Sequence, residues 1–391
     1  MKALQVTREF PPHVYGGAGV VVTELTQALS KRIDVEVRAW DEGKPVDGVQ
    51  TEDGVDVRRY GPWDRVRKGK DGPRFAGSLE TLSIALAAAR DETDADVVHA
   101  HTWYADMGAM WISMLYEIPL VVTLHSMEPL RPWKRDQLGT GYDISSWIEK
   151  TVVEAADRVV AVSNLMREDI LEHYEVDPQK VVVIHNGIDP DVYVRATEKT
   201  ALERYGVTEP YVLFVGRISE QKGIFDLIEA SKELPEEVQL VVCAAAPDTP
   251  ELHERLTKAT EGRNDVLWID EMVAKPDVIQ LYSHATVFAC PSVYEPFGII
   301  NLEAMACETA VVASATGGIL EVVEDGKTGI LVPPSDPAEL AKALSRLIAD
   351  PAEAEAMGKA GRQRVEDTFS WAAVARQTEA LYETVIAERG V

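Results

Sequence analysis

Short runs of β-branched and aliphatic residues alternate along the chain with longer stretches whose apolar positions recur at helical spacing. In the first half "LQVT", "DVEVRAW", "VDVRRY", "DVVHAHT", "PLVVTLHS", "RVVAVS" and "KVVVIHN" read as strands bounded by turn residues. Strands separated by helical segments predict parallel sheets covered by helices on both faces. After Asn186-Gly187 the segment "IDPDVYVRATEKT" is polar and without apolar period, and the alternation then restarts with "YVLFVGR", "VQLVVCAAA", "VLWIDEM", "ATVFACPS", "TAVVASAT" and "TGILVPP". The restart predicts a domain boundary: an α/β unit over 1–188, a second over 189–370, and a final helix over 371–391 that packs back on the first. Two doubly wound, Rossmann-like domains of this kind are expected to face each other across a cleft, with ligands at the carboxyl ends of the strands.

Length and composition agree with two folded domains: 391 residues, 46% hydrophobic, and no low-complexity tract. The formal net charge of −26, from 65 acidic and 39 basic residues, disfavours a phosphate backbone or an anionic membrane as partner, and it also fits a salt-rich cytoplasm. Cys243, Cys290 and Cys307 lie far apart in apolar runs without metal or redox spacing, and read as reduced core thiols of a cytoplasmic protein. The start of the chain shows no signal-peptide core, and the longest apolar stretch, 107–124, is broken by Glu117 and Pro119, so no membrane span is expected.

Candidate chemistry falls just after strands. In "TREFPPHVYGGAGVVVTEL" the glycines Gly16, Gly17 and Gly19 open a helix, either as a tight turn or as a loop that presents amides to an anion. The spacing is not the dinucleotide fingerprint. "FVGRISEQKG" places Arg217 and Lys222 around a loop that starts a helix, two cations suited to a diphosphate. "SATGGILEVVEDG" brings Gly317 and Gly318 after another strand, again suited to presenting amides. In "PSVYEPFGIINLEAMA", Glu295 precedes a Pro-Phe-Gly turn and Glu303 follows it; Gly298 allows a helix to begin, and Glu303 leans back toward its start.

"EPFGIINLE" resembles the Glu-x7-Glu motif of the retaining glycosyltransferases of family 4, and "GRISEQKG" resembles the phosphate-binding segment of the same group. "TREFPPHVYGGAGVVVTEL", "VVHAHTWYAD", "LHSMEPLRPWKRDQLGTGY", "CAAAPDTPEL" and "YEPFGIINLEAMACETAVVASATGG" are similar to the glycogen synthases of actinobacterial type, some of which make maltose 1-phosphate. The resemblance covers nearly the whole chain. It implies a GT-B fold, with the nucleotide mostly on the second domain, and transfer of glucose from a nucleotide sugar with retention at the anomeric carbon. ADP-glucose is the expected donor with UDP-glucose open, the acceptor is glucose 1-phosphate or an α-1,4-glucan end, and no cofactor or metal is expected. Carried over, Glu303 would take the ribose hydroxyls, Glu295 the transferred glucose, Arg217 and Lys222 the diphosphate, and Phe297 and Gly298 would belong to the donor loop. His125 would stand beside the reacting sugar, and His99 and His101 would be scaffold.

One departure concerns the first loop, where related starch and glycogen synthases carry a lysine two residues before the paired glycines and this chain has Val14 and then Tyr15. Directly after His125, "EPLRPWKRDQLGTGY" carries Arg131, Lys134 and Arg135 in an acidic chain, with Trp133 among them. The segment reads either as a solvated loop or as a site where the cations take an acceptor phosphate and Trp133 stacks on a sugar ring. Competing readings are a family 4 transferase using a UDP-sugar on another sugar, sugar phosphate or lipid, a nucleotide-sugar epimerase, and a non-catalytic nucleotide-sugar binder. Oligomeric state stays open, with a homodimer allowed.

Overall fold

The computed structural model describes residues 1–391 apart from Tyr15, 42–47, Asp53, 68–71, Ala246, Asp248 and Val391, and apart from the side chains of Glu52 and Gln137. Tyr15 of the first-loop departure and part of "CAAAPDTPEL" therefore fall outside the described residues, while Val14 lies within them. The chain divides into two compact units, Met1–Gly187 with Trp371–Val391, and Ile188–Ser370.

Among the described residues the first unit holds eight strands: β1 (Lys2–Thr7), β2 (Asp34–Trp40), β3 (Gln50–Glu52), β4 (Val55–Tyr60), β5 (Val97–His101), β6 (Leu120–Leu124), β7 (Arg158–Ala161) and β8 (Val181–Val183). Their order is β3-β4-β2-β1-β5-β6-β7-β8, parallel throughout except for the short β3 hairpin with β4. Every residue of β5 and β6 is buried, as a sheet covered on both faces requires. Arg38 in β2 is buried as well. It donates to the carbonyls of Ala88, Asp91 and Glu92 at 2.6–2.9 Å, so it satisfies the carboxyl end of the helix Ala76–Arg90. The helix Trp371–Arg389 belongs to this unit: Tyr382 is fully buried in it, and a side chain on Gly187 would strike the Trp371 ring within 3 Å.

The second unit holds β9 (Tyr211–Val215), β10 (Gln239–Cys243), β11 (Val266–Ile269), β12 (Val287–Cys290), β13 (Val311–Ser314) and β14 (Gly329–Val332) in the order β11-β10-β9-β12-β13-β14, all parallel. Val212, Phe214, Leu240, Val242, Val287, Ala289 and Val312 form its core with Leu227, Leu340 and Leu344 from the covering helices. In each unit the chain reverses its winding direction beside the first strand, between β1 and β5 and between β9 and β12. Those two switch points are where an open parallel sheet leaves a crevice at its carboxyl edge. Among the described residues no helix is long and apolar enough to cross a membrane.

Candidate active site

Three loops meet at the carboxyl edge of the second sheet, and glycines permit the approach. Gly223 (φ +62°) ends the short turn Glu220–Lys222 after β9, and a side chain there would lie 2.0 Å from the Pro291 carbonyl oxygen in the loop after β12. Gly317 (φ +53°), after β13, faces the Glu295 carbonyl oxygen at 1.9 Å from the position of an added Cβ. No other residue fits either place. Val293 N–H donates to the Gln221 carbonyl at 2.9 Å and stitches the first two loops together. Lys222 is thereby delivered to Glu295: Nζ lies 2.5 Å from Oε2, which also accepts from Ser292 Oγ at 3.2 Å. Both side chains are largely shielded, 15% and 9% exposed. Arg217 follows β9 at the same switch point and is half-buried.

Gly298 (φ +98°) starts the helix Ile299–Ala306, and Glu303 sits in its second turn. Each oxygen of Glu303 accepts from a tyrosine hydroxyl, Tyr193 and Tyr282, at 2.9 Å. Burial raises the Glu303 carboxyl above its ordinary range, and the two hydroxyls work against that rise. Neither tyrosine was singled out in the sequence. Tyr193 lies in the polar segment that opens the second unit and Tyr282 near the end of a helix, so only three-dimensional proximity reveals them.

Two expectations for this edge need correction. Gly318 does not present its amide to a ligand, because that N–H donates to the Glu295 carbonyl at 2.9 Å and its Cα packs on Pro296 and Phe297. Phe297 is 2% exposed with its ring edge-on to Phe369, so its side chain belongs to the core and only its backbone stands at the turn.

In the first unit, His125 follows β6 and is half-buried. Its Nε2 lies 3.1 Å from His101 Nδ1 at the end of β5. Removal from water pushes the His125 imidazole down to about 4 and His99 to about 3, and holds His101 well below its usual value, so all three are neutral. Thr102, between His101 and Trp103, has φ 70° and ψ 157°, a region that side chains other than glycine's rarely enter. Beside it the Arg8 guanidinium stands 4.3 Å over the Tyr104 ring and 5.3 Å from Trp40, and Trp103 stacks on Tyr104. Arg8, Trp40 and Tyr104 were missed; the aromatic pair in "HTWY" directly after a strand was the available signal.

The glycine loop after β1 also differs from expectation. Gly16 N–H donates to Glu9 Oε2 at 2.9 Å, and the Glu9 side chain fills the space beside Gly19, so these two positions already serve an internal carboxylate; Gly17 stands open. The expected cationic patch after His125 is divided. Lys134 is buried and paired with Glu128 Oε1 at 3.2 Å, while Glu128 Oε2 accepts from Ser145 at 2.7 Å. Arg135 pairs with Asp143 on the surface at 2.5 Å, Arg131 donates to Ser126 Oγ at 2.8 Å, and Trp133 is half-buried. Lys134 turns inward because Glu128 is itself buried and needs a partner.

The sequence models of two families match the chain, "Glycosyltransferase Family 4" over residues 15–192 and "Glycosyl transferases group 1" over 197–364. Alpha-maltose-1-phosphate synthase of Mycolicibacterium smegmatis is 46% identical over 99% of this chain and 100% of its own length. D-inositol 3-phosphate glycosyltransferase of Kineococcus radiotolerans is 33% identical over 96% and 92%. Among solved structures, sucrose-phosphate synthase from Thermosynechococcus elongatus superposes with a TM-score of 0.82 at 25% identity, over 99% of this chain and 100% of that one. With two doubly wound units, the paired glutamates after β12 and end-to-end similarity at this level, the chain belongs to the family 4 glycosyltransferases of GT-B fold, in the group that contains the alpha-maltose-1-phosphate synthases.

Proposed function

We propose that this glycosyltransferase moves glucose from ADP-glucose to glucose 1-phosphate with retention of configuration, forming maltose 1-phosphate, and that it needs no metal ion. The observation that carries the reading is the Lys222–Glu295 pair at the switch point of the second sheet, beside Arg217 and the start of the Glu303 helix. A diphosphate entering there draws Lys222 away from Glu295, and the released carboxylate accepts from hydroxyls of the transferred glucose. Glu303, held by two tyrosine hydroxyls, keeps a lone pair on each oxygen for the ribose diol. In the transfer, the bond from the anomeric carbon to the diphosphate breaks and a bond to the acceptor hydroxyl oxygen forms on the same face. The departing phosphate oxygen takes the hydroxyl proton. Negative charge builds on the leaving group as its bond to the anomeric carbon breaks, before that proton arrives, and Lys222 and Arg217 stabilise it.

End-to-end similarity to the Mycolicibacterium smegmatis enzyme supports the phosphorylated acceptor. Elongation of an α-1,4-glucan is the second reading, favoured by the internal pairing of Lys134, which removes one cation from the acceptor side. The experiment incubates the full chain, with and without EDTA, with ADP-glucose or UDP-glucose and with glucose 1-phosphate, maltose or glycogen, following nucleoside diphosphate release and the phosphorus spectrum of the product. Maltose 1-phosphate with an α linkage, formed faster from ADP-glucose and unaffected by EDTA, is expected. Diphosphate release with maltose or glycogen but not with glucose 1-phosphate overturns the acceptor assignment in favour of elongation.

A further inference from the structure

Five buried side chains behind His125 form one hydrogen-bonded chain that the transfer reaction as described does not use. Gln5, in the middle of β1, donates from Nε2 to Tyr382 Oη at 2.9 Å and accepts at Oε1 from His101 Nε2 at 2.7 Å. Tyr382 Oη lies 2.6 Å from His99 Nδ1, and His99 Nε2 lies 2.7 Å from Thr123 Oγ1. His101 Nδ1 meets His125 Nε2 at 3.1 Å. Gln5, His99, His101 and Tyr382 are each no more than 1% exposed, so the protons have nowhere else to go.

The amide of Gln5 decides them all. Its oxygen can only accept, so His101 carries its proton on Nε2. A neutral His101 then has a lone pair on Nδ1, and His125 must donate from Nε2. On the other branch Tyr382 accepts from the amide and donates to His99 Nδ1, which leaves His99 Nε2–H to donate to Thr123. Thr123 lines a cavity of about 20 Å³ with His185, Asn186 and Thr378, where its own hydroxyl hydrogen has room to turn. Rotating the Gln5 amide by half a turn would invert every donor and acceptor and put the His125 proton on Nδ1.

We propose that Gln5 and Tyr382 are positioning residues that fix His125 as its Nε2–H tautomer, leaving Nδ1 as an unprotonated acceptor for a hydroxyl of the reacting sugar. Among the described residues no hydrogen bond engages that nitrogen. A neutral lone pair there also tolerates positive charge developing on the sugar, which a ring N–H at the same place would oppose. The C-terminal helix thereby reaches the site through one hydroxyl. The effect on transfer rests on His125 standing beside the reacting sugar, whereas the tautomer itself does not.

The test uses the full chain, deuterated and labelled with nitrogen-15 in its eight histidines, and reads long-range proton–nitrogen correlations. The His125 signals are assigned from their loss in His125→Asn. Wild type is expected to show His125 protonated on Nε2 and bare on Nδ1. Gln5→Leu should abolish this fixed tautomer and lower kcat by about 10-fold to 10²-fold, the scale of a misoriented reacting group, with the donor KM little changed. Gln5→Glu, whose carboxylate still accepts from His101, should keep the tautomer and recover most of the turnover. Should Gln5→Leu fail to fold, Tyr382→Phe frees the amide to rotate and should give a mixture of both His125 tautomers. A wild-type His125 protonated on Nδ1, or an unchanged tautomer in both Gln5→Leu and Tyr382→Phe, overturns the proposal. Full transfer by His125→Asn would instead remove the functional reading of His125 while leaving the tautomer assignment as measured.

Discussion

Replacing Lys222 by methionine is expected to remove most transfer activity and to destabilise the second unit, and adding Glu295→Gln to that variant should return the stability without the activity. The ammonium lies 2.5 Å from the carboxylate, and both groups are mostly shielded from water. Methionine keeps the stem of the side chain but leaves the Glu295 charge with Ser292 as its remaining partner at 3.2 Å. Stripping one member from a buried pair costs about 3–5 kcal/mol; the residual exposure here reduces that to roughly 2–3 kcal/mol. For a unit of this size each kcal/mol lowers Tm by about 2–4 °C, so a drop of roughly 5–10 °C is expected. Glutamine at 295 removes the stranded charge and can still bond Ser292, and should restore most of the loss. Activity follows another rule. Each single variant forfeits a group that acts on the developing charge or on the sugar, about 10²-fold or more in kcat/KM, and neither loss is repaired in the double variant. Calorimetry, hydrogen exchange of the β12 amides and nucleoside diphosphate release measure the two effects separately. A Lys222→Met protein that melts with wild type, or a double variant no more stable than Lys222→Met, would refute the reasoning on the pair, and near wild-type turnover in both single variants would sink the site.

The stability of the first unit should peak near pH 6.5. Below that pH the unfolded chain protonates His99, His101 and His125 while the folded chain does not, because burial pushes His125 down to about 4 and His99 to about 3 and holds His101 well below its usual value. Each therefore removes about 1.4 kcal/mol per pH unit on acidification. Asp106 and Glu149, both pushed up to about 8 mainly by burial, hold protons that the unfolded chain releases above about pH 4, so their contribution falls as pH rises. Three groups against two give a net gain up to the histidine range and a net loss beyond it; a stability curve by urea titration that climbs steadily from pH 6.5 to 8 would contradict this. Lys134→Ala should lower Tm by several degrees because it strands the buried Glu128, whereas Arg131→Ala should leave Tm within about a degree and raise KM for glucose 1-phosphate more than for maltose; equal loss with both acceptors would remove Arg131 from phosphate recognition. Thr102→Gly should hold or raise Tm, since relief of a strained backbone of about 1–3 kcal/mol outweighs glycine's entropic cost, while kcat/KM falls as the turn beside His101 loosens. A clear loss of stability would show that Thr102 sits comfortably.

Every strand of both sheets except β3 stood out in the sequence, because the central strands are buried on both faces and read as mostly apolar runs, β2 and β4 alternate apolar with polar residues, and the helices between show their own period. β3 is three residues long at the edge of its sheet, too short to carry a pattern. The paired glutamates and Lys222 were legible for a similar reason: they follow strands closely, and the sheet order alone carries them to the switch point. Tyr193 and Tyr282 were not, since 89 positions separate them along the chain (282 − 193) and only folding brings both hydroxyls to Glu303.

The misreadings share a physical cause that the periodicity of a chain does not express. Position after a strand tells where a donor stands, but not whether another part of the chain has already taken it. Gly16 gives its amide to Glu9, Gly318 to the Glu295 carbonyl, and Lys134 its ammonium to Glu128. In each case the acceptor is a group that folding shields and that would be costly to leave unmet. The same demand works in the other direction at His99 and His101, which looked like scaffold in the sequence, and at Gln5, which did not stand out there. A buried amide and two buried imidazoles have to satisfy one another, and the fully connected arrangement that results ends on His125. Satisfying the buried polar groups of the sheet therefore also determines which nitrogen the site can offer to a sugar, so the stability of the core and the chemistry at its edge are set by the same hydrogen bonds.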